Sequence, residues 1–152
     1  MSRAPELTLS IDSRLENVPL LSQAMRGACA GLGLPETALG EVELCVVEAV
    51  TNCIEHGYAN QPGHPIEVRL ATRADGVVIT VLDQGQPIPE DRLPPPLEPV
   101  VPEDPMQLAE GGRGIFLLFA MMDRVEYERT EAGNRLTLVK LYPPNGGEST
   151  GG

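Results

Sequence analysis

The chain has 152 residues, and its 22 acidic residues against 11 basic ones give it a formal net charge of −11. This length corresponds to about one domain, and the acidic balance argues against a protein that binds nucleic-acid phosphates or an anionic membrane. The sequence has no apolar run of 18 or more residues, and its first residues lack the apolar centre of a signal peptide. The composition therefore predicts a cytoplasmic protein with no nucleic-acid partner and no membrane partner.

The cysteines are Cys29, Cys45 and Cys53. Their number is odd, and none of them forms a CxxC pair of the kind that binds zinc. Cys45 and Cys53 would lie about 12 Å apart along one helix, too far for a disulfide. We therefore expect three buried, reduced thiols.

The first half of the chain predicts one strand and two helices. Residues 7–11 alternate in polarity and are rich in β-formers, which is typical of a strand. Apolar residues then recur at helical spacing over residues 18–30, with Pro19 in the first turn, where proline is tolerated. A second, longer apolar stripe predicts a helix over residues 35–57.

Two hairpins and one more helix are predicted in the second half. The strands of these hairpins are predicted at residues 66–72, 77–83, 125–129 and 136–141. Residues 84–113 hold many of the 15 prolines, which interrupt helices and central strands, so this segment predicts a long loop. Residues 115–122 predict the third helix, and residues 132–134 predict the turn of the last hairpin.

This order of elements predicts an α+β fold. Strands that are joined by short turns pair antiparallel, and the helices have to cover one face of the sheet. We expect a two-layer α/β sandwich with a mixed, mostly antiparallel sheet and its helices on one face. The sequence predicts a single domain over residues 1–143 and a flexible tail over residues 144–152.

The second helix carries the first group of side chains that could serve chemistry. Glu48, Asn52 and His56 are spaced by four residues and would share one face of the helix. Glu48 lies between apolar neighbours, so its charge needs a cleft, a metal or a basic partner. A carboxylate and an amide at this spacing supply oxygen ligands that Mg²⁺ accepts, or a base beside such a ligand. Taken alone, the spacing is typical of an ordinary polar helix face.

The second group lies at the end of the strand over residues 77–83. Asp83 shares a strand face with Val77, Ile79 and Val81, which would place it at the inner rim of the sheet if that face is buried. A carboxylate there could accept a hydrogen bond from the exocyclic amine of a purine, and Gly85 would let a ligand approach the backbone. Taken alone, an aspartate at a strand end is most often a turn residue.

The third group is Gly111-Gly112-Arg113-Gly114, directly before the third helix. Backbone N–H groups at a helix N-terminus can bind an anion, and the guanidinium of Arg113 matches phosphate oxygens. The alternative is a flexible hinge that ends the proline-rich loop. The segment is neither a Walker A loop nor a dinucleotide fingerprint, because no G-K-[ST] follows and the βαβ context is missing.

These three groups, in this order, resemble the ATP-binding Bergerat fold of the GHKL superfamily. The segments that carry the resemblance are VVEAVTNCIEHGY (46–58), VLDQGQPI (81–88) and GGRGIFLLFAMMDRVEY (111–127). They are most similar to the bacterial anti-sigma factor serine kinases, and the resemblance covers nearly the whole chain.

The resemblance implies a role for each site residue. Asn52 would coordinate the Mg²⁺ that bridges the phosphates of ATP, and Glu48 would be the general base. Asp83 would bind the adenine amino group beside Gly85, and residues 86–112 would form a lid over the triphosphate. Further nucleotide contacts would come from Gly112, Arg113, Gly114 and Thr137.

The resemblance also implies an activity and partners. The chain would be a serine/threonine protein kinase that phosphorylates a STAS-domain anti-anti-sigma protein, otherwise holds a sigma factor inactive, and forms a homodimer. Pro87 stands where many relatives have glycine, and Arg14 and Arg26 are the candidates for the arginine that the family carries on its first helix. Two alternatives remain: a non-catalytic nucleotide-binding module that only switches partners, and the ATP-binding domain of a histidine-kinase-like phosphorelay.

Overall fold

The computed structural model describes residues 4–93 and 110–144. The elements of this part are β1 (Glu6–Asp12), α1 (Val18–Gly31), α2 (Glu36–Asn52), β2 (Pro65–Arg73), β3 (Gly76–Asp83), α3 (Glu110–Met121), β4 (Arg124–Thr130) and β5 (Gly133–Leu141). Most of the predicted lid, residues 94–109, and most of the predicted tail, residues 145–152, lie outside the described residues.

The strands form one sheet in the order β1-β2-β3-β5-β4. Every strand pairing in the described part of the chain is antiparallel. The α+β two-layer prediction is therefore confirmed, whereas the expectation of a mixed sheet is wrong for these strands. The two hairpins, β2–β3 and β4–β5, meet where β3 pairs with β5, and this pairing sets Asp83 opposite Asn134.

The helices cover one face of the sheet, and the core lies between the two layers. The helices contribute Met25, Cys29, Val42, Val46, Val50, Ile115 and Leu118 to this core. Alternate strand residues meet them from the sheet, among them Ile66, Val68, Val77, Ile79, Val81, Leu136 and Leu138. Because alternation continues to the end of β3, Asp83 lies on the helix-facing side of the sheet, as the sequence predicted.

The second helix changes its winding before the predicted end. α2 stops at Asn52, and the chain continues as a π-helical turn over Cys53–Gly57, closed by the N–H of Tyr58 donating to the carbonyl of Cys53. A π turn is wider than an α turn, so the four-residue spacing no longer holds His56 over Asn52. His56 is exposed, and the predicted stack of three side chains is limited to Glu48 and Asn52.

The third helix begins earlier than predicted, at Glu110 and not at Ile115. The glycine-rich segment therefore forms the first turn of α3 and is not a loop before it. Glycine has a low helix propensity, but Ile115 and Leu118 pack into the core, and tertiary packing of this kind stabilises a helix beyond local propensity. The anion-binding potential remains, because the N–H groups of a first turn have no acceptor within the helix.

The last strand also begins early, at Gly133 and not at residue 136. Gly133 has a φ of 132°, and a Cβ atom at this position would lie 2.3 Å from the carbonyl oxygen of Asp83. Only glycine fits so close to β3. As a result the turn lies at residues 131–132, and Asn134, predicted in the turn, is a strand residue.

All three cysteines are free and buried, as predicted. Burial raises the pKa of the Cys29 thiol to about 11 and, with smaller contributions from nearby charges, that of Cys45 to about 12. In the described ranges, no helix is both long and apolar enough to cross a bilayer.

Candidate active site

The carboxylate of Asp83 is held by three donors at the end of β3. Its Oδ1 accepts hydrogen bonds from the N–H of Gly85 at 2.8 Å and from Nδ2 of Asn134 at 3.0 Å. Its Oδ2 accepts one from the thiol of Cys53 at 3.3 Å. Burial, followed by the negative charge of Asp83, raises the pKa of Cys53 well above its usual value, so this thiol keeps the proton that it donates.

Gly85 brings the loop after β3 against the π-helical turn. A Cβ atom on Gly85 would lie 2.4 Å from the carbonyl oxygen of Gly57, and the N–H of Gln86 donates to that same oxygen at 2.8 Å. The sequence pattern predicts that glycine is needed here so that a ligand can approach the backbone. The structure adds a second reason, because another backbone already approaches at this point.

Asn52 borders a small cavity on the helix-facing side of the sheet. The cavity is lined by Asn52, Cys53, Asp83, Ile88, Tyr127 and Leu136, together with parts of α2 and α3. Its lining is mainly apolar with a few polar groups, which is the kind of lining that small-molecule sites have.

Residues 86–88 lie over this cavity. The N–H of Ile88 donates to the hydroxyl of Tyr127 at 2.8 Å, and Ile88 packs against the core. The enclosed volume is about 20 Å³, room for about one water molecule. A purine base is larger, so a nucleotide could enter only after Ile88 has moved outward.

Glu48 lies one helical turn before Asn52 and faces the first turn of α3. A Cβ atom at Gly114 would lie 3.2 Å from Oε2 of Glu48. The free N–H groups at a helix N-terminus attract negative charge, so this carboxylate lies beside a place suited to an anion. Gly112 belongs to the same first turn, whereas the side chain of Arg113 lies outside the described part of the structure.

The expectation for Thr137 is wrong. Thr137 lies between Leu136 and Leu138, which are both buried in the core, so alternation places its side chain on the opposite, helix-free face. It is paired there with Thr80 of β3 and Glu126 of β4. Leu136, and not Thr137, is the residue of β5 that lines the cavity.

The sequence pattern does not single out Asn134, although it is central to the site. Asn134 is only 2% exposed, and its Nδ2 donates to the carbonyl of Gly85 at 2.9 Å as well as to Asp83. Counting back by two from Leu136 places Asn134 on the core face of β5. This signal is usable only if the strand is known to begin at Gly133.

The candidate arginines of the first helix region are both ion-paired. Arg26 of α1 contacts Glu43 at 2.9 Å and Glu36 at 2.7 Å, and so connects α1 with α2. Arg14 contacts Asp12 at 3.1 Å. Neither residue is among those that line the cavity.

The residues present fit a magnesium nucleotide. Among residues 4–93 and 110–144, no group of three or more His, Cys, Asp or Glu side chains could hold a metal by itself. Mg²⁺ keeps few protein ligands when substrate phosphates complete its coordination. A single amide at Asn52, near a helix N-terminus that could hold phosphates, is compatible with that arrangement.

Comparison with known proteins gives one family and several curated relatives. The anti-sigma F factor of Oceanobacillus iheyensis is 33% identical over 137 residues, which cover 89% of this chain and 91% of the relative. The serine-protein kinase RsbW of Bacillus subtilis is 24% identical over 128 residues, which cover 84% of this chain and 80% of the relative.

A solved structure of the RsbU and RsbW domains of Rv1364c from Mycobacterium tuberculosis has a similar fold, with a TM-score of 0.65 and 21% identity. The match covers 92% of this chain but spans only 33% of that longer chain. The family model of the histidine kinase-like ATPase domain matches residues 11–140, a range that includes the end of β1, all of β2, β3 and β4, all three helices and nearly all of β5. This chain therefore belongs to the histidine kinase-like ATPase domain family.

Proposed function

We propose that the protein is an anti-sigma factor with ATP-dependent serine/threonine kinase activity. It would phosphorylate a STAS-domain anti-anti-sigma protein. When it is not bound to that protein, it would sequester a sigma factor. The observation that carries the proposal is the position of Glu48, which lies against Gly114 and one turn from Asn52. The relatives named anti-sigma F factor and serine-protein kinase support the choice of activity and partners.

Phosphoryl transfer depends mainly on positioning and on neutralising charge. Asn52 would hold Mg²⁺, which supplies positive charge to the phosphate oxygens when it is bound. The hydroxyl oxygen of the protein substrate would attack the γ-phosphorus, the bond from that phosphorus to the bridging oxygen of ADP would break, and Glu48 would accept the hydroxyl proton. Gly114 leaves room for the Glu48 carboxylate beside the N–H groups of α3.

The adenine base of the nucleotide would be recognised where Asp83 and Leu136 line the cavity. Asp83 offers a carboxylate acceptor to the adenine amino group, and Leu136 offers an apolar wall. The first step of binding would be displacement of Ile88 from the cavity, which breaks its hydrogen bond to Tyr127.

Calorimetry of ATP and ADP binding with and without Mg²⁺ tests the nucleotide site. The wild type should bind ATP more tightly with Mg²⁺, and Asn52→Ala should abolish this effect of Mg²⁺ while leaving the fold intact. Absence of nucleotide binding to the wild type would overturn the proposal and make the chain a module that binds proteins only.

Phosphotransfer to a STAS-domain protein tests the role of Glu48. Glu48→Gln should keep ATP binding and lower the transfer rate by about 10²-fold or more. Glu55→Gln is the matched control, because it removes the same charge from an exposed position in the π-helical turn. Equal rates for the two variants would contradict the assignment of the base. ATP binding without transfer would favour the non-catalytic module, and an acid-labile phosphohistidine would favour the phosphorelay.

The net charge of −11 supports a basic partner, since a sigma factor has to present a basic surface to DNA. The complex should therefore weaken steeply when salt is raised from about 50 mM to about 500 mM, because ions screen such contacts. A salt-independent affinity would contradict an electrostatic interface. The proposal includes a homodimer in the cytoplasm, and sedimentation of the free protein tests the dimer.

A further inference from the structure

The two carboxylate oxygens of Asp83 accept different numbers of hydrogen bonds. A carboxylate oxygen has about two acceptor positions, and Oδ1 uses both, for the N–H of Gly85 and for Nδ2 of Asn134. Oδ2 accepts from Cys53, and a thiol is a weak donor. Oδ2 is therefore the oxygen with capacity for a donor from a ligand.

The amide of Asn134 has only one orientation that satisfies its neighbours. Both groups that it contacts, Oδ1 of Asp83 and the carbonyl oxygen of Gly85, are acceptors, so the side-chain nitrogen has to face them. Asn134 also lies directly opposite Asp83 in the β3–β5 register. The sheet, and not a loop, thus holds this donor in place.

The oxygen of the same side-chain amide, by contrast, destabilises the fold. Oδ1 of Asn134 is buried and accepts no hydrogen bond from the described residues. A buried acceptor without a partner destabilises a fold, whereas an apolar side chain of similar size avoids that loss. The benefit of asparagine here therefore lies in the two hydrogen bonds that it donates, to Asp83 and to the carbonyl of Gly85.

We propose that Asn134 is a positioning residue, which fixes Asp83 so that Oδ2 receives the exocyclic amine of a 6-aminopurine nucleotide. This inference rests on the proposed function, because it assumes that a purine nucleotide binds at Asp83. By donating to Oδ1 and to the carbonyl of Gly85, Asn134 holds the carboxylate and the following loop in one geometry. Discrimination between a 6-aminopurine and a purine without that group then depends on Asn134, although it lies on a different hairpin from Asp83.

The test compares the affinity for ATP with the affinity for purine riboside triphosphate, which lacks the 6-amino group. The wild type should prefer ATP, and Asn134→Leu should lower this preference about tenfold, the effect of about one hydrogen bond. Arg135→Gln is the matched control, because Arg135 is the next residue of β5 but lies exposed on the opposite face. It should keep the preference of the wild type.

Two further variants separate the possible failures. Asn134→Ser retains one donor and should give an intermediate preference, which keeps the test decisive if Asn134→Leu does not fold. Asp83→Asn should lose the preference altogether. If Asp83→Asn loses it while folded Asn134 variants keep it, the role of Asn134 is overturned and the proposed function stands. If the wild type binds both nucleotides equally, Asp83 does not bind the adenine amino group and the inference about Asn134 is overturned. The proposed kinase function then stands, because it requires only that ATP binds and that phosphate is transferred.

Discussion

The backbone of Gly85 lies so close to the carbonyl of Gly57 that no side chain would fit on Gly85. This contact determines how close the loop after β3 lies to the end of α2. It also fixes Gln86, whose N–H donates to the carbonyl of Gly57, and so it sets the start of the segment that covers the cavity. At the residue scale, the geometry of the site depends on an atom that is absent, the Cβ of Gly85.

Gly85→Ala should therefore damage both stability and binding. Its Cβ atom would overlap the carbonyl of Gly57, so we expect a loss of about 1–3 kcal/mol in the free energy of unfolding, measured with urea, and weaker ATP binding. Gly27→Ala is the control, because Gly27 is exposed within α1 with no atom within 4 Å of the added Cβ. This control should gain about 0.5–1 kcal/mol. Similar stabilities for the two variants would show that the backbone contact is absent.

At the scale of elements, Lys140 connects β5 with two helices. Its Nζ donates to the carbonyl of Met121 at the end of α3, at 2.6 Å, and contacts the carboxylate of Glu41 in α2 at 2.8 Å. The side chain lies on the helix-facing side of β5, and it is the only lysine of the chain. A cation is favourable at a helix C-terminus, where carbonyl groups lack partners.

Lys140→Met should lower the free energy of unfolding by about 1–3 kcal/mol. The lower end is expected if water reaches Glu41, whose side chain is 35% exposed. Arg124→Met is the control, since Arg124 and Glu126 form an exposed pair that contributes less than about 1 kcal/mol. Chemical unfolding gives the free energy of unfolding of both variants. Equal losses would mean that Lys140 contributes no more to stability than an exposed ion pair does.

At the scale of the whole molecule, the three buried thiols couple stability to alkaline pH. Their pKa values are raised in the folded protein, to about 11 for Cys29 and about 12 for Cys45, against a usual value of 9.0. The unfolded chain therefore loses these protons first as the pH rises. Their contribution to stability is complete below pH 9 and is lost as the pH rises from there through the folded-state values.

We expect the urea midpoint to fall when the pH is raised from about 8 to about 10.5. Each thiol contributes at most about 1.4 kcal/mol per pH unit in this range. Cys29→Ala removes one of these groups, so its stability should fall less steeply with pH, even if its stability at neutral pH is lower. Parallel pH profiles for the two proteins would contradict the linkage.

The sequence predicted the features that depend on the pattern of residues within a single strand or helix. The alternation in β3 placed Asp83 at the inner rim, and the helical stripe placed Glu48 and Asn52 on one element. Thr137 was assigned from the resemblance, although the alternation of Leu136 and Leu138 places it on the other face. Asn134 was overlooked for a different reason, the early start of β5. That start depends on Gly133 approaching the carbonyl of Asp83, a contact between residues far apart in the chain. No periodicity within either strand contains this information.

The pairing of β3 with β5 has a consequence for how the protein is made. Residues 84–132 separate the two strands, and closing a segment of this length costs chain entropy before any contact is gained. The contacts within each hairpin are local, but Asp83 meets Asn134 only when the two hairpins dock. A growing chain on the ribosome thus carries the aspartate of the site long before it carries the asparagine. The nucleotide site that we propose is therefore complete only after β5 has emerged.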